Sequence, residues 1–375
     1  MVLLTRALQP VPARPGDLLP RLAAALDGSG PALLPYPAGP AAAGIVAAMQ
    51  PAVPLERDDV ALVVPTSGST GEPKGALLTA TALRHSARAT LERLGGPGQW
   101  LLALPVTHIA GLQVLVRSLL SGIEPALLDL DRGFSVEGFA EATRQLDATG
   151  PRYTALVPTQ LRRLIDAGTD LTSYDAILVG GAALDFTAPP TVVRTYGMSE
   201  TCGRCVYYGR PLDGVDARIE PDGRISLGGP VVFAGYRLRP DLTAEALVDG
   251  RHITQDLGRW ADQRLEVLGR ADDVIVTGGV NVPAALVERV LAGHPRVRAV
   301  AVVGVPDDEW GQRVVAVVHA RGPVTVEELR AFAADRLEDA ALPRTCVAVD
   351  ELPMLASGKP DKEAVRNLVA ADRLR

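Results

Sequence analysis

Residues 65–75 read Pro65-Thr66-Ser67-Gly68-Ser69-Thr70-Gly71-Glu72-Pro73-Lys74-Gly75, and they follow the apolar run Val60-Ala61-Leu62-Val63-Val64. The run predicts a buried strand. A strand therefore empties into small hydroxyl residues and glycines, closed by a proline and a lysine. Glycines let the backbone curl until several N–H groups face one anion. Ser67, Ser69 and Thr70 add hydroxyl donors, and Lys74 adds a compact charge. The same composition suits a plain surface turn. Its position directly after a strand is what favours a phosphate cradle. The spacing is not that of the Walker loop, which needs Gly, four residues, then Gly-Lys-Ser/Thr; here Glu72-Pro73 separates Gly71 from Lys74.

At 375 residues the chain is long for a single core. Two or more domains are expected. Hydrophobic residues make up 47% of it, and the net charge is −6 with the signs mixed. No basic stripe is present, which argues against nucleic acid as a partner. Met1 to Leu8 is apolar but short and interrupted by Arg6, so neither a secretory signal nor membrane insertion is expected. Three cysteines suit a reducing cytoplasm. Cys202 and Cys205 form a Cys-x-x-Cys, but Cys346 is the only other cysteine. A four-ligand zinc site needs a second pair, so local packing roles are expected.

Residues 1–56 are rich in Ala, Pro and Leu and predict short helices and loops. From Val60 to about Ile225, strand-like runs at 100–104, 125–128, 153–157, 176–179 and 191–194 alternate with helical patterns at 109–120, 136–146 and 160–167. This alternation predicts α/β architecture, with mainly parallel sheets flanked by helices. In such sheets ligands sit beyond the carboxyl ends of the strands. After Gly203, short runs at 217–220, 224–227 and 264–268 predict a small antiparallel β subdomain. Gly269 to Asp273 is a charged break. Beyond it lies a compact α+β unit, with helices at 283–291 and 325–337, the latter capped by Thr325, and strands at 297–305 and 314–319.

Thr66 to Gly75 resembles, without a break, the nucleotide-phosphate loop of the adenylate-forming superfamily, which includes acyl- and aryl-CoA ligases, luciferases and peptide-synthetase adenylation domains. Further segments match in order up to the C-terminus. Gly180-Gly181-Ala182 resembles the segment that lies along adenine, although a tight βα turn reads the same way. Thr195-Tyr196-Gly197-Met198-Ser199-Glu200-Thr201 resembles the motif whose aromatic stacks near adenine and whose hydroxyl contacts the α-phosphate. Its glutamate, here Glu200 on a loop after the 191–194 strand, is implied to hold Mg²⁺. Asp256 matches the aspartate that binds the ribose hydroxyls, with Gln255 where glycine is usual. Arg270 matches the second ribose contact, and Asp272 the hinge residue. His108 matches the residue that borders the acyl pocket and gates carboxylate entry; a packed helix-start histidine is the plain alternative. Lys359, between Gly358 and Pro360, matches the catalytic lysine that reaches both the carboxylate and the α-phosphate. Lys362 reads as a solvated residue starting the last helix.

The resemblance implies two steps. A carboxylate attacks the α-phosphorus of ATP, and a thiol then displaces AMP. Domains at 1–269 and 273–375 are implied, the second a mobile lid turning near Asp272. Its second pose would bring in residues 276–281, read as a loop, with Gly278 and Gly279 admitting a pantetheine arm. The segment from Arg194 to Gly214 further resembles the o-succinylbenzoate-CoA ligases of menaquinone synthesis. That implies ATP, Mg²⁺ and CoA as cofactors, a cytoplasmic location and a small dicarboxylic acid as substrate. Arg204, with Tyr207 and Tyr208, is the candidate to receive its aromatic carboxylate; a surface arginine is the plain alternative. Another aryl- or acyl-CoA ligase, a stand-alone carrier-loading adenylation enzyme and an inactive adenylate-binding protein stay open. A homodimer stays open too.

Overall fold

The computed structural model describes residues 6–67, 73–147, 149–181, 184, 186–354 and 360–372. Its first sheet runs in the order Leu8–Pro12, Ala32–Tyr36, Val60–Ser67, Pro73–Thr79. The first two junctions are parallel and the last is antiparallel. Two strands thus stand where short helices and loops were expected. Pro10, Pro12 and Pro35 hid them, because proline removes a ladder donor. Pro35 is tolerated because its strand meets the third only through Leu33↔Leu62.

The predicted strand at 60–64 is fully buried. It continues to Ser67 and returns through Pro73–Thr79, pairing Thr66 with Lys74 and Ser67 with Pro73. The phosphate-loop candidates Gly68, Ser69, Thr70 and Gly71 fall outside the described residues; the hairpin's two arms lead up to them. Thr79 ends the return strand and caps the helix Ala80–Leu94, its side chain accepting from Ala82 N at 3.1 Å.

The second sheet supplies the predicted parallel layer. Its order is Arg210–Pro211, Gly203–Tyr207, Val192–Met198, Ala176–Val179, Arg152–Leu156, Gln99–Leu102, Ala126–Leu127. The five strands from Val192–Met198 onward run parallel, and the first two strands are added antiparallel. The strand expected at 191–194 runs on to Met198 because Gly203–Tyr207 pairs with Thr195, Tyr196, Gly197 and Met198. Ladder pairing overrides the break that Gly197 suggests. The helix Ile109–Ser121 is apolar on nearly every face and buried between layers.

The third sheet is antiparallel throughout: Asp216–Ile219, Arg224–Gly228, Arg251–Ala261 and Leu247–Val248, with Arg264–Arg270 on Arg251–Ala261. Beside it the buried Arg237 fastens residues 49–56. Its guanidinium donates to the carbonyls of Met49, Gln50, Val53 and Pro54 and to Glu56 Oε2 at 3.0 Å. Removing one partner orphans buried acceptors at about 1–3 kcal/mol each. Arg237→Ala is therefore expected to lower stability by roughly 3 kcal/mol or more, read as a drop in denaturant midpoint. An unchanged midpoint would contradict the clamp.

The fourth sheet contains Val280–Pro283, Val274–Thr277, Gly311–Ala320 and Val297–Asp307, with Thr345–Ala348 parallel to Gly311–Ala320. Helices Ala284–Ala292, Val326–Ala333 and Lys362–Asp372 accompany it. Thr325 caps the second of these, accepting from Glu328 N at 3.2 Å. Among the described residues, the apolar clusters up to Val267 share no member with those from Ile275 on. Residues 276–281 are a hairpin rather than a loop. Gly278 and Gly279 form its two-residue turn with φ +56° and +78°, the backbone of a primed turn that glycine permits. No described helix is long and apolar enough to cross a membrane.

Candidate active site

His108, Gly180-Gly181 and Glu200 each follow the carboxyl end of a strand of the parallel layer. His108 follows Gln99–Leu102 and is the N-cap residue of Ile109–Ser121. Its ring is exposed, yet crowding by neighbouring protein lowers its proton affinity below the usual histidine value. Gly180 and Gly181 follow Ala176–Val179. A Cβ on Gly180 would stand 2.6 Å from the Thr195 carbonyl oxygen and 2.9 Å from Arg204 Nε. Two strand ends and an arginine therefore close on a bare backbone, which only glycine allows. Ala182 lies outside the described residues. The Thr195 hydroxyl is occupied, donating to Val179 O at 3.0 Å.

Glu200 sits on the short 3₁₀ turn Ser199–Thr201, not on a loop after residue 194. Tyr236 donates to its Oε1 at 2.7 Å, and no described residue donates to Oε2. Burial, then the Glu200 charge, raises the Tyr236 phenol far above its usual range, so the hydroxyl keeps its proton. Lys74 Nζ stands 5.2 Å from the Tyr236 ring centre. Among the described residues, no group of three or more His, Cys, Asp or Glu side chains is arranged to hold a metal ion. One carboxylate with a free oxygen does not suit a stand-alone metal. It fits Mg²⁺ carried in with phosphates, which takes one or two carboxylates beside them.

Asp256 lies within Arg251–Ala261, directly opposite Arg270. The pairing with Arg224–Gly228 shifts register across residues 254–256, around the unusual Gln255. Tyr196 donates to Asp256 Oδ2 at 2.8 Å, and Arg270 Nη1 stands 4.0 Å from Oδ1. Burial, reinforced by Asp256, raises the Tyr196 phenol. Arg270 is held by a two-bond fork to Asp272, 2.8 Å on each arm. That fork pulls the Asp272 carboxyl below the usual range. A 3₁₀ turn, Ala271–Asp273, carries the hinge candidate. Tyr196 and Asp256 are thus joined across 60 residues of chain.

Arg204 is not a free surface arginine. Its guanidinium lies against Gly180 and Gly181 and donates to Gly197 O. Burial lowers its proton affinity, and no described carboxylate pairs with it. Its expected companions face elsewhere. Tyr207 shares a hydrogen bond with Thr90 Oγ1 at 3.0 Å inside the core, and Tyr208 donates to Val192 O. Strand alternation and the bulge between Arg204 and Val206 turn them away. Between Glu200 and Arg204, Cys202 is left-handed at φ +50°. Its carbonyl is held by Ser86 Oγ at 3.0 Å and Gln113 Nε2 at 2.7 Å. Gln113 was visible as a polar residue in an apolar helix, and Ser86 had no such signal. Both cysteine thiols are buried and free, Cys205 pushed up to about 12 by burial.

Lys359 lies outside the described residues. On either side of that stretch, Met354 and Pro360 form an antiparallel bridge, and Asp361 N donates to Pro353 O at 2.9 Å. Lys362 starts the last helix as expected but is not solvated. Its ammonium donates to Glu288 and to Val302 O at 2.8 Å and stands 3.3 Å from Asp273 Oδ2. Long-range partners override the surface reading of a charged helix start.

Residues 14–251 match the AMP-binding enzyme family, and residues 286–359 its C-terminal domain. A Mycobacterium tuberculosis protein named probable 2-succinylbenzoate–CoA ligase is 47% identical over 366 residues, covering 93% of this chain and 94% of the relative. The structure of o-succinylbenzoate CoA synthetase (MenE) from Bacillus subtilis with the acyl-adenylate OSB-AMP superposes with TM-score 0.75 at 26% identity, covering 96% of this chain and 88% of that one. The same protein with ATP and magnesium gives 0.73 at 25% identity over the same shares. The amide bond synthetase McbA from Marinactinospora thermotolerans gives 0.74 at 28%, over 96% and 80%. With family models matched over residues 14–251 and 286–359, the chain belongs to the AMP-binding enzyme family.

Proposed function

We propose that this chain is an AMP-forming acid–thiol ligase that adenylates o-succinylbenzoate with ATP and passes the acyl group to CoA, the activation step of menaquinone synthesis. The observation that carries the substrate is Arg204. A half-buried cation without a carboxylate partner among the described residues, laid over Gly180 and Gly181 and next to the Glu200 turn, calls for an anion from outside the protein. o-Succinylbenzoate offers one, since its aromatic carboxylate stays charged while the succinyl carboxylate reacts.

In this reading the hairpin bearing Thr66, Ser67 and Lys74, with Gly68, Ser69, Thr70 and Gly71, holds the leaving phosphates. Gly180, Gly181, Ala182 and Tyr196 border adenine, with Thr195 and Gly197 shaping that wall and Ser199 facing the α-phosphate. Asp256 and Arg270 take the ribose. Glu200 holds Mg²⁺, which when bound supplies neutralising charge at the phosphates. His108 borders the acyl pocket, and Lys359 bridges carboxylate and α-phosphate. Positioning and charge neutralisation dominate such a reaction.

Domains at 1–269 and 273–375 turn about Asp272, and Gly278-Gly279 lets the thiol arm pass the hairpin tip. The 3₁₀ turn at Asp272 accepts a proline φ near −65°. Asp272→Pro is thus expected to favour one pose. One half-reaction stays near wild type and the other falls about tenfold or more. An unchanged overall turnover would contradict a pivot at this residue.

The likeness to an amide bond synthetase makes a nitrogen acceptor the second reading. Pyrophosphate release measured over a panel of carboxylic acids tests the first step. The highest kcat/KM is expected for o-succinylbenzoate; a different acid preferred over it would overturn the substrate assignment.

A further inference from the structure

We propose that Tyr236 is a positioning residue that aims the Glu200 carboxylate at the divalent cation and couples it to Lys74. This rests on the reading of Glu200 as the metal carboxylate. Three observations converge. The buried Tyr236 hydroxyl donates to Glu200 Oε1 at 2.7 Å, leaving Oε2 without a described donor. The Tyr236 ring lies under Lys74 Nζ, 5.2 Å from ring centre to nitrogen. That ring is itself wedged edge-on against Phe233 at 4.9 Å, and Phe233 against His252 at 5.3 Å.

The backbone repeats the connection. Phe233 N donates to Glu200 O at 2.8 Å. Ala234 N donates to Leu77 O at 2.8 Å, Leu77 N to Gly235 O at 2.9 Å and Arg237 N to Gly75 O at 2.7 Å. Residues 233–237 therefore lace the Glu200 turn onto the strand that returns from the phosphate hairpin. Tyr236 N is fixed in turn by Thr243 Oγ1 at 2.8 Å.

A carboxylate with one oxygen tied down loses its freedom to rotate and presents the other oxygen in one direction. Partners that orient a ligating carboxylate are worth about 10–100-fold in metal affinity. The ring adds a separate effect, since a cation over an aromatic face is attracted to it. Tyr236 thus touches both Lys74 and Glu200. The tyrosine inserted between them keeps each turned toward the nucleotide, one by its face and the other by its hydroxyl.

The two halves separate by substitution. Tyr236→Phe keeps the ring under Lys74 and removes the hydroxyl; Tyr236→Leu removes both. Mn²⁺ is titrated into the full chain with α,β-methylene-ATP and followed by electron paramagnetic resonance. Binding of the same analogue in EDTA is followed by calorimetry. For Tyr236→Phe the Mn²⁺ Kd is expected to rise about tenfold or more, with metal-free analogue binding unchanged. For Tyr236→Leu both are expected to weaken. If Glu200→Gln weakens Mn²⁺ while Tyr236→Phe matches wild type, Tyr236 only packs and the proposal is overturned. If Glu200→Gln leaves Mn²⁺ binding unchanged, Glu200 is not the metal carboxylate, and the site reading falls together with the proposal.

Discussion

Lys359→Ala is expected to reduce pyrophosphate release from ATP plus acid by about 10²–10³-fold or more, the scale of losing one preorganised charge at the transition state. The same variant is expected to convert supplied acyl-adenylate to thioester at the wild-type rate. The asymmetry follows from the role assigned to the lysine, which touches the reacting carboxylate and α-phosphate only in the first half-reaction. The described residues on either side of Lys359 are fixed. Met354 and Pro360 are bridged, and three residues beyond Lys359 the Lys362 ammonium is fixed on Glu288, Val302 and Asp273. Quench-flow measurement of each half-reaction separates the two steps. Equal loss in both would show that Lys359 serves the fold or both poses.

Arg204→Ala is expected to raise KM for o-succinylbenzoate far more than KM for 4-phenyl-4-oxobutanoate, which lacks the aromatic carboxylate. Truncating one member of a buried, hydrogen-bonded charge pair costs about 2–5 kcal/mol, on the order of thirtyfold at the least. Arg204 also donates to Gly197 O, so its removal loosens the adjacent strand. That part of the loss falls on both acids alike. The ratio of the two KM changes is therefore the readout. Arg204→Lys, which keeps charge but not the planar fork, should recover part of the ratio. Equal losses for the two acids would make Arg204 structural.

The parallel layer was legible because buried strands announce themselves as continuous apolar runs between helical patterns. Val60 to Val64 and Ala176 to Val179 are such runs. The strands Leu8–Pro12 and Ala32–Tyr36 were not legible, since their prolines argue against strands and their pairing is a tertiary fact. Candidate site residues could be named where they lie inside contiguous motifs, as Glu200, Asp256 and Arg270 do. The site was not legible where a contact joins distant segments. Tyr236 meets Glu200 across 36 residues from an irregular stretch, and Lys362 meets Glu288 across 74. No local pattern marks either pair. Arg204 stood out as a candidate, but the strand bulge that separates it from Tyr207 and Tyr208 depends on pairing with Val192–Met198.

The central claim is that this chain joins o-succinylbenzoate to CoA through an adenylate. Incubation of the purified chain with ATP, Mg²⁺, CoA and o-succinylbenzoate, followed by chromatography and mass spectrometry of the products, tests it most directly. The account predicts equal amounts of AMP and o-succinylbenzoyl-CoA, with 4-phenyl-4-oxobutanoate converted far less efficiently. AMP formed without the CoA thioester, or the two acids converted equally well, would contradict it.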